Sequence, residues 1–551
     1  MDYNPVMLIR ALTLTGLLLA LPPSPGAQTP GGHHGATLNN QLAALATVSR
    51  AVNALGGANA LTKAGGLALD GEGQLDLGTL LQGRRPFEGD RHPISERIAL
   101  VPKADRLVHE ERAPANPDSL SWQRTDYRPN GAYRIDMDAR RATWARPASR
   151  DGIERMIPHL LLEEILTNSA SLRHLGQVTV AGQTRDAVVW HLPERGQMTL
   201  LFDPRTHLLR EIETLADLPV RGDATIRWTF LEHTRVPGLG LFPTGYTIHV
   251  DDERLREIRW TRRAAAPTGG ILDAPAGVEM PPATPFEPPQ GSGPAAGGNA
   301  GNQAKRPEFD IRDLAPGVYL LASLRTGFHM LFVEFDDFVA AVDAPSGWWE
   351  LQELPARDWA RSPSPALGER YVRAIRSRVG DKPIRYVVLT HHHSDHAGGV
   401  RAFVEAGATV VGTALTRTVA ERTLAGSLTL AGRDAAPAPP LRFEMVEGDK
   451  SIRGGDMEMQ LIDVGANPHS EGMLAVWLPG PKILYVSDLF DPWSTRGAPA
   501  RDRLPVMRWF VQWLDRSGLE PERIYAIHGA ALVRPENLEE IRRGMSGTTS
   551  R

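Results

Sequence analysis

T-H-H-H-S-D-H-A-G-G, residues Thr390 to Gly399, follows directly on the apolar run Ile384 to Leu389, which reads as a buried strand. His391, His393, Asp395 and His396 therefore sit on the loop where a strand ends. Imidazole and carboxylate are donors that a borderline cation such as Zn²⁺ accepts, and four of them within six residues concentrate ligands at one place. Later donors arrive in matching contexts. His469 follows the strand-like Met457 to Val464, Asp488 closes Ile483 to Ser487, and His528 closes Ile524 to Ile527. The carboxyl ends of strands are where open α/β sheets gather ligands, so these side chains are expected to converge on two metal ions and one hydrolytic water.

H-x-H-x-D-H followed by an isolated His, an Asp and a final His resembles the metallo-β-lactamase superfamily, and the resemblance covers residues 310 to 545. It implies an α+β fold, a four-layer αββα sandwich. It also implies that His391, His393 and His469 hold a first metal, that Asp395, His396 and His528 hold a second, and that Asp488 bridges them. The implied cofactors are two Zn²⁺, with Fe or Mn as alternatives, and Asp395 and Asp488 take a catalytic part. His392 and Ser394 occupy variable positions and are given no role. A carboxylate at position 488, where one antibiotic-hydrolysing subclass uses cysteine, resembles the glyoxalase II-like, lactonase-like and phosphodiesterase-like branches. Metal-assisted hydrolysis of an ester, thioester, lactone or amide bond in a small-molecule substrate is the expected activity. A di-iron oxidoreductase of the same fold uses similar ligands and stays open as a second reading.

The rest of the composition narrows the classes. At 551 residues the chain is too long for one ordinary core and suggests two domains with connecting material. Its 61 basic and 65 acidic residues leave a net charge of −4 without a long basic block, so nucleic acid is not an expected partner. Cysteine is absent, which excludes thiol nucleophiles, and no G-x-S-x-G elbow or Walker-type loop occurs.

Arg10, the apolar stretch Ala11 to Leu21 and the following P-P-S-P-G-A-Q read as an export signal, residues 1–27, cleaved after Ala27. The stretch is shorter than the ~20 residues a spanning helix needs, so a periplasmic or secreted protein without a transmembrane anchor is expected. Leu42, Leu45, Val48, Val52 and Leu55 then recur at helical spacing up to Gly56. From Ala64 to Trp260 apolar and polar residues alternate, as in Ile226, Trp228 and Phe230, with a helical interruption at Gly152 to Leu166. Residues 38–263 thus read as a mainly antiparallel β-sheet domain with helices. Its opening A-L-G-G-A-N-A-L, Ala54 to Leu61, resembles the half-barrels that carry lipoproteins or lipids across the periplasm. That resemblance implies an apolar ligand or protein partner, and a third reading in which the chain is a periplasmic binding or assembly factor. Residues 264–305, rich in Pro, Gly and Ala, read as a linker, and 309–545 as the catalytic domain.

Other residues are weighed against bland roles. His33 and His34 fit a flexible terminus as well as a metal, and His329 fits packing as well as a substrate contact. Trp509 and Trp513, four apart on an expected helix, read as core, whereas Trp493 is the better pocket-wall candidate and Trp348 and Trp349 flank the same half.

Overall fold

The computed structural model describes residues 35–278 and 308–546, except 88, 117–118, 130, 146–149, 193–195, 267–269, 325–326, 347–363, 431, 433–437, 495–498 and 500. The expected export signal, His33, His34, Trp348 and Trp349 lie outside the described residues.

In the N-terminal domain, alternation builds a 13-stranded antiparallel sheet. Its first strand, Leu67–Asp76, pairs with Arg91–Val101 on one side and with the last strand, Glu253–Ala265, on the other, so the two ends of the domain meet mid-sheet. Along Gly222–Phe230 every second residue is buried, which puts Ile226, Trp228 and Phe230 on one face. The helices Ala36–Leu55 and Pro158–Thr167 close that face, with Val48, Val52, Leu161 and Ile165 in one cluster with Trp190, Trp228 and Phe230. Burying Phe230 alone contributes roughly 1.5–3 kcal/mol. Helical periodicity overstates the buried stripe at Leu42, which is 47 % exposed, since the helix's fully buried residues begin only at Ala44. Where these two helices pack, they cover the face expected to receive an apolar ligand.

The sheet domain also reaches into the stretch read as linker. Ile271, in the turn Gly270–Leu272, packs on Ala99 and Val108, Arg106 Nη2 donates to the Leu272 carbonyl at 2.8 Å, and Arg124 Nη2 to that of Asp273 at 2.9 Å. Residues 279–307 lie outside the described residues. No helix among the described residues is long and apolar enough to cross a membrane.

Acid is expected to loosen this domain through His159. Its ring is 3 % exposed, stacked on Phe242, with Nε2 3.3 Å from the Leu55 carbonyl. Burial holds its pKa down to about 4. A folded-state value below the unfolded ~6.5 means the unfolded chain takes up the proton first, so the contribution is complete above pH 6.5 and is lost as pH falls toward 4. The linkage is worth about 3 kcal/mol, and His159→Phe should flatten that part of a denaturant-midpoint profile.

The C-terminal domain is the expected four-layer αββα sandwich. One sheet has seven strands, from Phe309–Ala315 to Phe443–Met445, and the other six, from Lys450–Gly454 to Leu532–Val533. Val388, Val411, Leu461, Val476 and Tyr485 fill the space between them. Tyr371 and Phe403, on the helices Ser364–Val379 and Val400–Glu405, cover the first sheet. Phe510 and Ile541, on Leu504–Ser517 and Pro535–Ser546, cover the second. The parallel strands Val339–Val342, Ile384–Val388 and Thr409–Gly412 end together, which sets their following loops side by side.

The two domains are packed on each other. Leu81 and Val220 of the sheet domain are buried in the C-terminal domain's helix-facing cluster, both with left-handed backbone at φ 56° and 69°. Asp223 accepts from the backbone N–H groups of Thr429 and Leu430 at 2.7 and 3.1 Å.

Candidate metal centre

The loop after Ile384–Val388 runs through His391 and His393 into a single helical turn, Ser394–Ala397, that carries Asp395 and His396. His469 lies on the loop joining Met457–Asp463 to Leu474–Leu478. Asp488 sits in the turn Ser487–Leu489 just past Ile483–Tyr485, and His528 follows Arg523–Tyr525. These strands end one or two residues earlier than their apolar runs, leaving the donors on loops.

The structure brings all seven side chains together as two groups. Donor atoms of His391, His393, His469 and Asp488 lie within 4.8 Å of one another, and so do those of Asp395, His396 and His528. Asp488 faces both. Its Oδ2 is 3.2 Å from His469 Nε2, while its Oδ1 is 3.1 Å from the Nε2 of both His396 and His528. His391 Nε2 and His469 Nε2 stand 3.1 Å apart, and Asp395 Oδ2 is 3.3 Å from His396 Nε2 and 3.5 Å from His528 Nε2. His528 is 21 % exposed, whereas the side chains of Asp395, His396, His469 and Asp488 are at most 5 % exposed.

The outward ring nitrogens of four of the imidazoles have partners. His391 Nδ1 is 3.1 Å from Thr390 Oγ1, and His396 Nδ1 donates to Asp343 Oδ2 at 3.1 Å. His393 Nε2 donates to the Gly83 carbonyl at 2.8 Å, and such acceptors on His391, His393 and His396 fix which nitrogen of a ligating imidazole stays free. His469 differs, since its Nδ1 is 3.3 Å from Arg503 Nη1, which can only donate. The inward atom His393 Nδ1 is buried and has no hydrogen-bond partner among the described residues, while His396 Nε2 and Asp488 Oδ1 meet only as an ion pair 3.1 Å apart without hydrogen-bond alignment. Buried polar atoms are nearly always well paired, so these mark a place where the chain's own groups do not suffice.

Electrostatics agree. Burial pushes the imidazoles of His391 and His393 well below their ordinary pKa, and neighbouring imidazoles add to the effect, so both rings are neutral, the form a cation accepts. Burial also opposes charge on His528, but Asp488 and Asp395 outweigh it and lift the ring to about 9. His396 is lifted in the same way by Asp488, Asp395 and Asp343. Burial would raise Asp395 and Asp488, yet the adjacent imidazoles, with Arg503 beside Asp488, hold both well below the usual carboxylate range. Carboxylates this deep need compensating positive charge, and a pair of divalent cations fits the donor set of imidazoles plus carboxylates.

Sequence reasoning missed several members. Asp343, at φ 66°, accepts from the Thr390 N–H at 2.9 Å, Thr390 Oγ1 at 2.7 Å and Ser487 Oγ at 3.0 Å besides His396. Arg503 donates to the Asp488 carbonyl at 2.6 Å. His392 and Ser394, given no role, are fully buried: His392 Nε2 donates to Gly83 O at 3.0 Å and the Ser394 N–H to Leu81 O at 3.2 Å. His329 lies beside the His528 loop, its Nε2 3.3 Å from the Gly529 carbonyl, and Trp493 stacks on Phe490 while its carbonyl accepts from Arg534 at 2.7 Å. Trp509 and Trp513 stack at 6.5 Å over the outer core.

Residues 358–528 match the family model described as the metallo-beta-lactamase superfamily. A hydroxyacylglutathione hydrolase of Rhodobacter capsulatus is 31 % identical over 170 residues, 30 % of this chain and 49 % of that protein. Another, from Jannaschia sp. (strain CCS1), is 36 % identical over 103 residues, 18 % of this chain and 32 % of that one. The chain therefore spans half or less of the length of these curated relatives. Among solved structures, a metallo-beta-lactamase from Pontibacter korlensis covers 44 % of this chain and 100 % of its own, at 19 % identity and a TM-score of 0.31.

Proposed function

We propose, from the premise that the C-terminal domain is of the metallo-beta-lactamase superfamily, that this protein hydrolyses small acyl substrates with two divalent cations, zinc first among them, and that a thioester is the preferred class. The observation that carries this reading is Asp488, whose two oxygens face separate groups of buried imidazoles. The thioester rests on the relatives named hydroxyacylglutathione hydrolase, to which the similarity is partial.

Cations held there would lower the pKa of a water from about 15.7 toward about 7 and would give Lewis-acid help to the oxyanion. The chain's part would be to hold the donors in fixed orientation. His391, His393 and His469 would take one ion, Asp395, His396 and His528 the other, and Asp488 both. Asp395 has Oδ1 engaged by Gln82 Nε2 at 3.0 Å, which leaves Oδ2 turned toward His396 and His528. Phe328, fully buried with its ring 4.7 Å from that of His528, keeps water from one flank. A substrate carbonyl would approach past His528, which is the exposed member of its group.

Full-length protein loaded with zinc or iron should be assayed against hydroxyacylglutathione, lactone, simple ester, β-lactam and phosphodiester substrates, with metal content measured alongside. Thioester turnover with about two zinc equivalents is the expected result. Activity confined to iron-loaded protein with consumption of an electron acceptor would replace this reading by the oxidoreductase one. Export is part of the same proposal, supported by the apolar stretch Ala11 to Leu21, and N-terminal sequencing of the cell-envelope or medium fraction should begin at Gln28.

A further inference from the structure

Four consecutive residues of the sheet domain each bond to the loops that carry the metal donors. They lie in the connection between Leu67–Asp76 and Arg91–Val101. Leu81 O accepts from the Ser394 N–H at 3.2 Å, and Gln82 Nε2 donates to Asp395 Oδ1 at 3.0 Å. Gly83 O accepts from His392 Nε2 at 3.0 Å and His393 Nε2 at 2.8 Å, and Arg84 O accepts from the Glu471 N–H at 3.0 Å. Arg85 adds an ion pair with Glu471.

From these contacts we infer that the metal centre is completed across the domain boundary, with Gln82 and the Gly83 carbonyl acting as positioning groups. This rests on the metal-centre reading above and adds to it that the C-terminal domain's own residues do not finish the site. A carbonyl can only accept, so His393 must present N–H at Nε2, which leaves Nδ1, the buried and unpartnered atom, as the free lone pair. Gln82 engages one oxygen of Asp395 and so turns the other toward His396 and His528.

The connection is built to hold that position. Asp76 Oδ1 accepts from the N–H groups of Thr79 and Asp90 at 3.1 and 3.2 Å, and Asp90 Oδ2 accepts from the Arg84 N–H at 3.1 Å. Leu81 anchors it in the C-terminal core. Position 83 has no room for a side chain, since a Cβ there would lie 2.7 Å from Asp90 Oδ2 and 3.0 Å from the Gly78 nitrogen. Gly83→Ala must therefore displace either the Asp90 carboxylate that holds the Arg84 N–H or the turn that carries the carbonyl His393 depends on.

The test uses full-length protein loaded with Co²⁺, comparing the parent with Gln82→Leu and Gly83→Ala. The readouts are the visible ligand-field spectrum, the retention of cobalt against a competing chelator and the melting temperature of the metal-free form. The expected result is an altered spectrum and about 10- to 100-fold weaker retention in both variants, with metal-free Gln82→Leu melting within a few degrees of the parent. Parent-like spectra and retention in both variants, beside a cobalt-binding parent, would overturn the positioning role alone. A parent that binds no cobalt would overturn the metal-centre reading and this inference with it.

Discussion

Asp488→Ala is expected to abolish retention of both cations and to lower kcat by about 10²- to 10⁴-fold, the equivalent of the 3–5 kcal/mol that follows when one partner leaves a buried charged group. No other described side chain has one oxygen 3.2 Å from His469 and a second 3.1 Å from both His396 and His528. Without it, the two groups of donors would have no shared ligand to set their separation. Loss of its charge also removes the leading cause that lifts the His528 ring to about 9, so that imidazole should titrate nearer its ordinary value in the variant. His391→Ala, by contrast, should deplete one ion and spare the other. Metal content after dialysis separates the two variants, and kcat at saturating metal ranks them. Two tightly held ions and normal turnover in Asp488→Ala would falsify the shared-ligand assignment.

The donors themselves were legible because metal chemistry restricts side-chain type and because strands end where apolar runs end. His391 to His396 sit in one short segment, and each later donor closes or follows an apolar run, so order and spacing carried the pattern. The four-layer sandwich came from the same pattern through resemblance, and the sheet domain from plain alternation such as that along Gly222–Phe230. Partners of the donors left less trace. Asp343 stands 47 positions before Thr390, in a segment that reads only as strand, and its role appears once Val339–Val342 pairs with Ile384–Val388. Gly83 reaches His393 from 310 positions away with a backbone carbonyl, and a carbonyl has no side-chain signature for a sequence to show. His392 read as a spare position for the same reason, since what it touches belongs to another domain. Arg503 belongs to a turn, Arg501–Arg503, and a lone arginine in a loop is unremarkable until Asp488 is beside it.

Asp343→Ala and Asp343→Asn are expected to fail in different ways, and the difference tests what this carboxylate does. Asp343 is fully buried, with Oδ1 accepting from the Thr390 N–H and hydroxyl and Oδ2 from Ser487 Oγ and His396 Nδ1. Alanine leaves those donors unsatisfied in a dry interior. The cost should be about 3–5 kcal/mol, or roughly 6–20 °C in the melting temperature of a domain this size. Asparagine keeps the volume, and its carbonyl oxygen can still serve Thr390. Its amide, however, is a donor toward His396 Nδ1, so the ring must present a lone pair there and carry its proton on Nε2, the atom that faces Asp395 and Asp488. A protonated Nε2 cannot ligate. Asp343→Asn should therefore melt close to the parent yet hold the ion of the Asp395, His396 and His528 group about 10- to 100-fold more weakly, with kcat falling in step. Parent-like retention of both ions in Asp343→Asn, measured by chelator competition, would show that His396 is oriented by something other than this carboxylate.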